Sequence, residues 1–222
     1  MIYLWDMFTS GYVWLLTICR ASLSMDNSST LEQIRRHVYT LAGDIGERNV
    51  FHPSALQAAA DYIGTEWRRQ GYEVIPQPYQ AKGVECMNLE VSRSGAVQPE
   101  KIILIGAHYD TVRGSPGADD NGSGVAALLE LSRRFTRLEP ALTVRFVAFV
   151  NEEMPFFARK TMGSLVYAKA ARRRGDRIKL MASLEMLGCY DYTPGSQKYP
   201  PLFRYQLPTT AACNFSPNPE ER

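Results

Sequence analysis

The stretch LIGAHYDTVRGSPGADDNGSG (104–124) decides how this chain reads. It continues an apolar run that opens at Lys101 with KIILIGA, rich in β-branched residues, the pattern of a strand buried on both faces. The run ends abruptly in His108 and Asp110, polar groups that a buried strand does not carry without a reason. A Gly/Ser/Pro turn follows, then Asp119-Asp120, then Asn121-Gly122-Ser123-Gly124 opening an apolar pattern of helical period. Strand, polar loop and helix N-terminus in succession mark the place where open α/β sheets hold their ligands. A histidine and aspartates gathered there suggest a metal site.

Toward the C-terminus the same rhythm repeats. A helix is expected over about 123–137, with Val125, Leu128, Leu129 and Phe135 facing inward and Pro140 stopping it. A second strand, 142–150 (LTVRFVAFV), ends in Asn151-Glu152-Glu153; a helix over about 164–174 and a third strand, 179–184, end in Glu185. Apolar strands alternating with helices predict an α/β fold, a three-layer αβα sandwich with a mainly parallel central sheet and right-handed crossovers. The strand ends then share one edge, where His108, Asp110, Glu152, Glu153 and Glu185 meet, with Asp119 and Asp120 added by the loop. Carboxylates crowded without a cation raise one another's pKa values, and a divalent ion removes that cost. One imidazole among oxygen donors favours zinc, or manganese or cobalt, over magnesium. Taken singly, each acid is ordinary as a solvated strand end or a helix cap. The joint pattern carries the reading.

Toward the N-terminus, Tyr72–Tyr79 and Val84–Val91 read as a hairpin joined through Ala81-Lys82-Gly83. A helix from about Pro53 to Gln70 repeats Leu56, Ala59, Ala60, Ile63 and Trp67 at helical spacing, with Gly71 suited to its C-cap. An earlier helix opens at Ser28-Ser29-Thr30, where Ser29 and Glu32 have capping-box spacing, and carries Leu31, Ile34, Val38 and Leu41 on one stripe. His37 falls within that pattern as a packing or surface residue, and His52 reads as loop. Residues 1–24 form an apolar leader or a mis-assigned start ahead of Met25. The run is too interrupted for a membrane span, and Asp6 stands where a signal peptide has basic residues. A cytoplasmic location is slightly favoured over export. The α/β domain is expected over 25–189, and residues 190–222, rich in Pro, Thr, Asn and Gln, read as an irregular tail.

Bulk properties narrow the function classes. At 222 residues the chain supports one domain with a substantial core. A net charge of +2 gives no nucleic-acid footprint, and Arg172–Arg174 read as the solvated end of a helix. Four widely spaced cysteines without a Cys-x-x-Cys pair indicate neither a disulfide framework nor a cysteine zinc site. With only three histidines, any metal centre here must be built largely from carboxylates.

GAHYDTV, PGADDNGSG and FVNEE, in this order, resemble the motifs of the co-catalytic zinc metallopeptidases, which include bacterial leucyl aminopeptidases, glutamate carboxypeptidase and glutaminyl cyclases. The similarity runs from about residue 45 to 190. It implies that His108 binds one zinc, that Asp120 bridges two, that Glu152 is the general base and that Glu153 binds the other zinc. Glu185 would complete the first zinc site, Asp110 would orient the imidazole, and a cis peptide would join Asp120 to Asn121. The implied reaction is hydrolysis of the N-terminal bond of peptides with a free amino terminus, by a metal-bound water and a glutamate base. This sequence departs from the family in having no histidine after His108, so of the two zinc ions expected only the first site (His108, Asp120, Glu185) is complete. The expectation is a chain truncated at its C-terminal end. Its function is then an aminopeptidase, a weakly active or inactive metal-binding remnant, or a glutaminyl-cyclase-like acyltransferase.

Overall fold

The apolar run at 101–107 becomes the inside of a six-stranded sheet. The computed structural model describes residues 2–5 and 27–189, and the tail expected over 190–222 lies outside them. The elements are β1 (Ile2–Trp5), α1 (Asn27–Tyr39), α2 (Pro53–Arg69), β2 (Ile75–Ala81), β3 (Val84–Arg93), β4 (Gln98–His108), α3 (Gly124–Phe135), β5 (Leu142–Phe149), α4 (Gly163–Arg174) and β6 (Arg177–Leu184). Irregular, wide helical turns at Thr40–Ile45 and Ala118–Ser123 extend α1 and precede α3.

The strand order is β1-β6-β4-β5-β3-β2. β4 pairs in parallel with both β5 and β6, whereas β3 is antiparallel to β5, β2 to β3 and β1 to β6. Four strands therefore run one way and two the other, and the parallel centre is flanked by antiparallel edges. The hairpin predicted from sequence is present, and it docks on β5 rather than on β4. β1 lies in the stretch read as a leader; its backbone adds an outer antiparallel strand from Ile2 opposite Leu184 to Trp5 opposite Met181.

Alternation along the strands splits the core into two layers. Ala107, Val144, Phe146, Ala148 and Val150 face α2 and α3, joining Leu56, Ile63, Trp67, Val125, Leu128 and Leu129. Ile102, Leu104, Val147 and Phe149 face the other way, onto Tyr167 and Ala171 of α4. The result is the αβα sandwich, with one thick layer and one thin. Trp67 anchors the thick layer: it is fully buried, and its indole N–H donates to Ser132 Oγ on α3 at 2.9 Å. Under the thin layer, Tyr167 donates to Glu90 at 2.6 Å while Arg145 pairs with Asp176 at 2.6 Å, tying α4 to β3 and β5. Parallel pairing of β4, β5 and β6 puts their C-terminal ends on one edge.

Candidate metal centre

His108 is the last residue of β4 and is 4% exposed. Its Nδ1 lies 3.2 Å from the carbonyl oxygen of Asp110, so an Nδ1–H donated there leaves the Nε2 lone pair facing outward. Around Nε2 stand Asp120 Oδ1 at 3.1 Å, Glu185 Oε1 at 3.2 Å and Glu152 Oε2 at 3.9 Å. His108, Asp120 and Glu185 each offer a ligand atom within 4.8 Å of the others, and His108, Glu152 and Glu153 do the same. These are the two metal-compatible groups among the described residues, and both include His108. Asp120 and Glu153, implied as the core of a second site, do not appear together in either group. Asp119 turns away, its Oδ1 accepting the Gly188 N–H at 2.8 Å.

Asp110, 2% exposed, lies beside the imidazole and also makes contacts that the resemblance does not imply. Its carboxylate accepts the backbone N–H groups of Glu152 and Glu153, each at 3.1 Å, and stands 3.5 Å from His108 Nδ1. It therefore fixes the backbone of the acid pair at least as directly as it orients the imidazole. The Asp120-Asn121 peptide is cis, as the resemblance implies.

Electrostatics follow from this crowding. Burial raises the Glu152 carboxyl to about 7; the His108 charge opposes that rise, and Asp110, Glu153 and Glu185 reinforce it. Glu153 is raised for the same leading reason. Burial acts to lower the imidazole of His108, but hydrogen bonds donated to Asp110, Asp120 and Glu185 outweigh it and lift the group well above its usual value. Asp120 is held low, first by its hydrogen bond to His108.

Sequence reading missed Arg48. It is fully buried, donating from Nε to the Tyr109 carbonyl at 2.6 Å, from Nη1 to the carbonyls of Leu41, Gly46 and Pro116, and from Nη2 to Gly117. Burial brings its pKa down to about 10, with Asp110 and Asp120 acting the other way. The loop that joins His108 to Asp120 is thus wrapped around one guanidinium. No apolar or helical period marks such a residue, because its partners are main-chain oxygens. The other two histidines are not ligands here: His37 is buried against the Tyr62 hydroxyl at 2.7 Å, and His52 is an exposed partner of Glu47 at 3.3 Å.

A buried imidazole and several carboxylates at the C-terminal edge of a parallel sheet form a metal-compatible centre. Residues 88–210 match peptidase family M28, and the chain belongs to that family. It is 38% identical over 177 residues to the uncharacterized protein YfbL of Escherichia coli, covering 76% of this chain and 53% of that one. It is 45% identical over 88 residues to aminopeptidase YwaD of Bacillus subtilis, covering 39% of this chain and 18% of the relative. The crystal structure of a leucine aminopeptidase precursor from Bacteroides thetaiotaomicron superposes with a TM-score of 0.57 at 21% identity, over 72% of this chain and 62% of that one. The chain spans about half the length of YfbL and less of YwaD.

Proposed function

We propose that this chain is a zinc-dependent exopeptidase of the aminopeptidase type, acting on peptides with a free amino terminus. The observation that carries this reading is the convergence of Asp120 Oδ1 and Glu185 Oε1 on His108 Nε2, at 3.1 and 3.2 Å. One neutral nitrogen and two anionic oxygens suit zinc, and the buried imidazole is already turned to present its free nitrogen. Zinc held by His108, Asp120 and Glu185 would supply a polarised carbonyl and a water acidic enough to lose a proton near neutral pH. A second ion would draw on Glu153.

Glu152 is assigned as the proton carrier. Its carboxyl, raised to about 7 by burial, is poised to take a proton from the attacking water and return it to the leaving amine. Asp110 keeps Glu152 and Glu153 in register through their backbone amides. The test is release of free amino acids from unblocked peptides by the zinc-loaded chain, with amino-terminally acetylated peptides left uncut. Pyroglutamate from peptides with an amino-terminal glutamine would point to the acyltransferase instead. Bound zinc with neither product would mark a metal-binding remnant.

A further inference from the structure

The turn at Ala118–Ser123 supplies Asp120, and its other side chains converge on a different target. Glu185 follows β6 directly, and the backbone on both sides of it is gripped from that turn. Asn121, fully buried, donates from Nδ2 to the Leu184 carbonyl at 2.8 Å and accepts the Met186 N–H at Oδ1 at 3.2 Å. The same Oδ1 accepts the Gly124 N–H at 3.1 Å, fixing the amide against the start of α3. Ser123 Oγ accepts the Leu187 N–H at 2.9 Å, and Asp119 Oδ1 accepts the Gly188 N–H at 2.8 Å. Three alternate residues of one turn thus hold one carbonyl and three amides on the segment that carries Glu185. Gly124 makes the approach possible, since a side chain there would strike Asn121 and come within 2.6 Å of the Leu184 carbonyl.

We propose that Asn121 is a positioning residue for the metal centre, which with Ser123 and Asp119 holds the Glu185 carboxylate beside His108 and so sets the affinity for the cation. The physical reason is pre-organisation. A carboxylate on an untethered loop must be ordered when it binds, whereas here the backbone before and after it is already fixed. Outer partners of this kind typically change metal affinity about 10–100-fold when removed. The proposal rests on the metal-site reading above.

The test is a double-mutant cycle on the full chain, reading zinc dissociation constants by competition with a chromophoric chelator. Asn121→Ala is expected to weaken zinc about tenfold or more in the otherwise unchanged chain, and by less than about twofold in a Glu185→Ala background. Equal losses in both backgrounds, or no loss in the unchanged chain, would overturn the proposal. If circular dichroism shows Asn121→Ala unfolded, Ser123→Ala decides: a loss of about threefold that vanishes without Glu185 supports the clamp, and no loss sinks it. Absence of zinc binding by the unmodified chain would remove the metal reading itself, and this inference with it.

Discussion

At the level of single residues, His108 sets both the ligand geometry and the proton balance. In the metal-free chain its imidazole hydrogen-bonds to Asp110, Asp120 and Glu185, which is why its pKa is lifted despite burial. A histidine whose folded pKa exceeds its unfolded value contributes stability that is complete below about pH 6.5 and lost as pH rises through the folded value. Glu152, raised from 4.5 to about 7, acts in the same direction, since the folded chain holds a proton there that the unfolded chain has lost. The metal-free protein should therefore lose thermal stability as pH rises from about 5 through 7 and beyond, and saturating zinc should flatten that dependence. A Tm that rises with pH over this interval would contradict the account. Zinc uptake at pH 7 should also release protons, which calorimetry in buffers of different ionisation enthalpy will detect. For catalysis, Glu152→Gln is expected to leave zinc binding within a few-fold while cutting kcat by about two to four orders of magnitude. His108→Ala should abolish tight zinc binding, because both metal-compatible groups include that histidine.

At the level of elements, the loop between β4 and α3 is tied to Arg48 through the carbonyls of Tyr109, Pro116 and Gly117. Arg48→Met removes donors from five carbonyls at once and should cost about 3 kcal/mol or more, measured by urea unfolding. Arg48→Lys should recover little, because an ammonium cannot reproduce the planar fork. A loss under 1 kcal/mol would mean the loop is held by other contacts. β4, β5 and β6 were legible in the sequence because each is an apolar run that stops at an acid or a histidine. α2 was legible for its unbroken stripe through Trp67. The position of the β2–β3 hairpin beside β5 was not, since strand neighbours distant in sequence leave no local signal. Asn121 and Ser123 looked like ordinary helix-opening residues, and their hold on 184–188 appears only when β6 is laid beside α3. Arg48 was hidden for the same reason, with partners that carry no side-chain signature.

At the level of the whole molecule, the centre exists only when three strand ends are aligned, so binding and folding are linked. Zinc at about 100 times its dissociation constant should stabilise the chain by about 2.7 kcal/mol, visible as a concentration-dependent rise in Tm. Among the described residues no helix is long and apolar enough to cross a membrane. Among the described residues the sheet carries unequal cover, three helices on one face and α4 on the other, so amide hydrogens of α4 should exchange ahead of those in α2 and α3. The burial of the ligands is also graded. The His108 side chain is 3% exposed, whereas those of Glu185, Glu152 and Asp120 are 24%, 33% and 44% exposed. An arriving hydrated ion would meet the carboxylates first and the imidazole last, at the floor. Departure would reverse that order. Such a funnel should make the rate at which a chelator in solution strips the protein independent of the chelator's concentration.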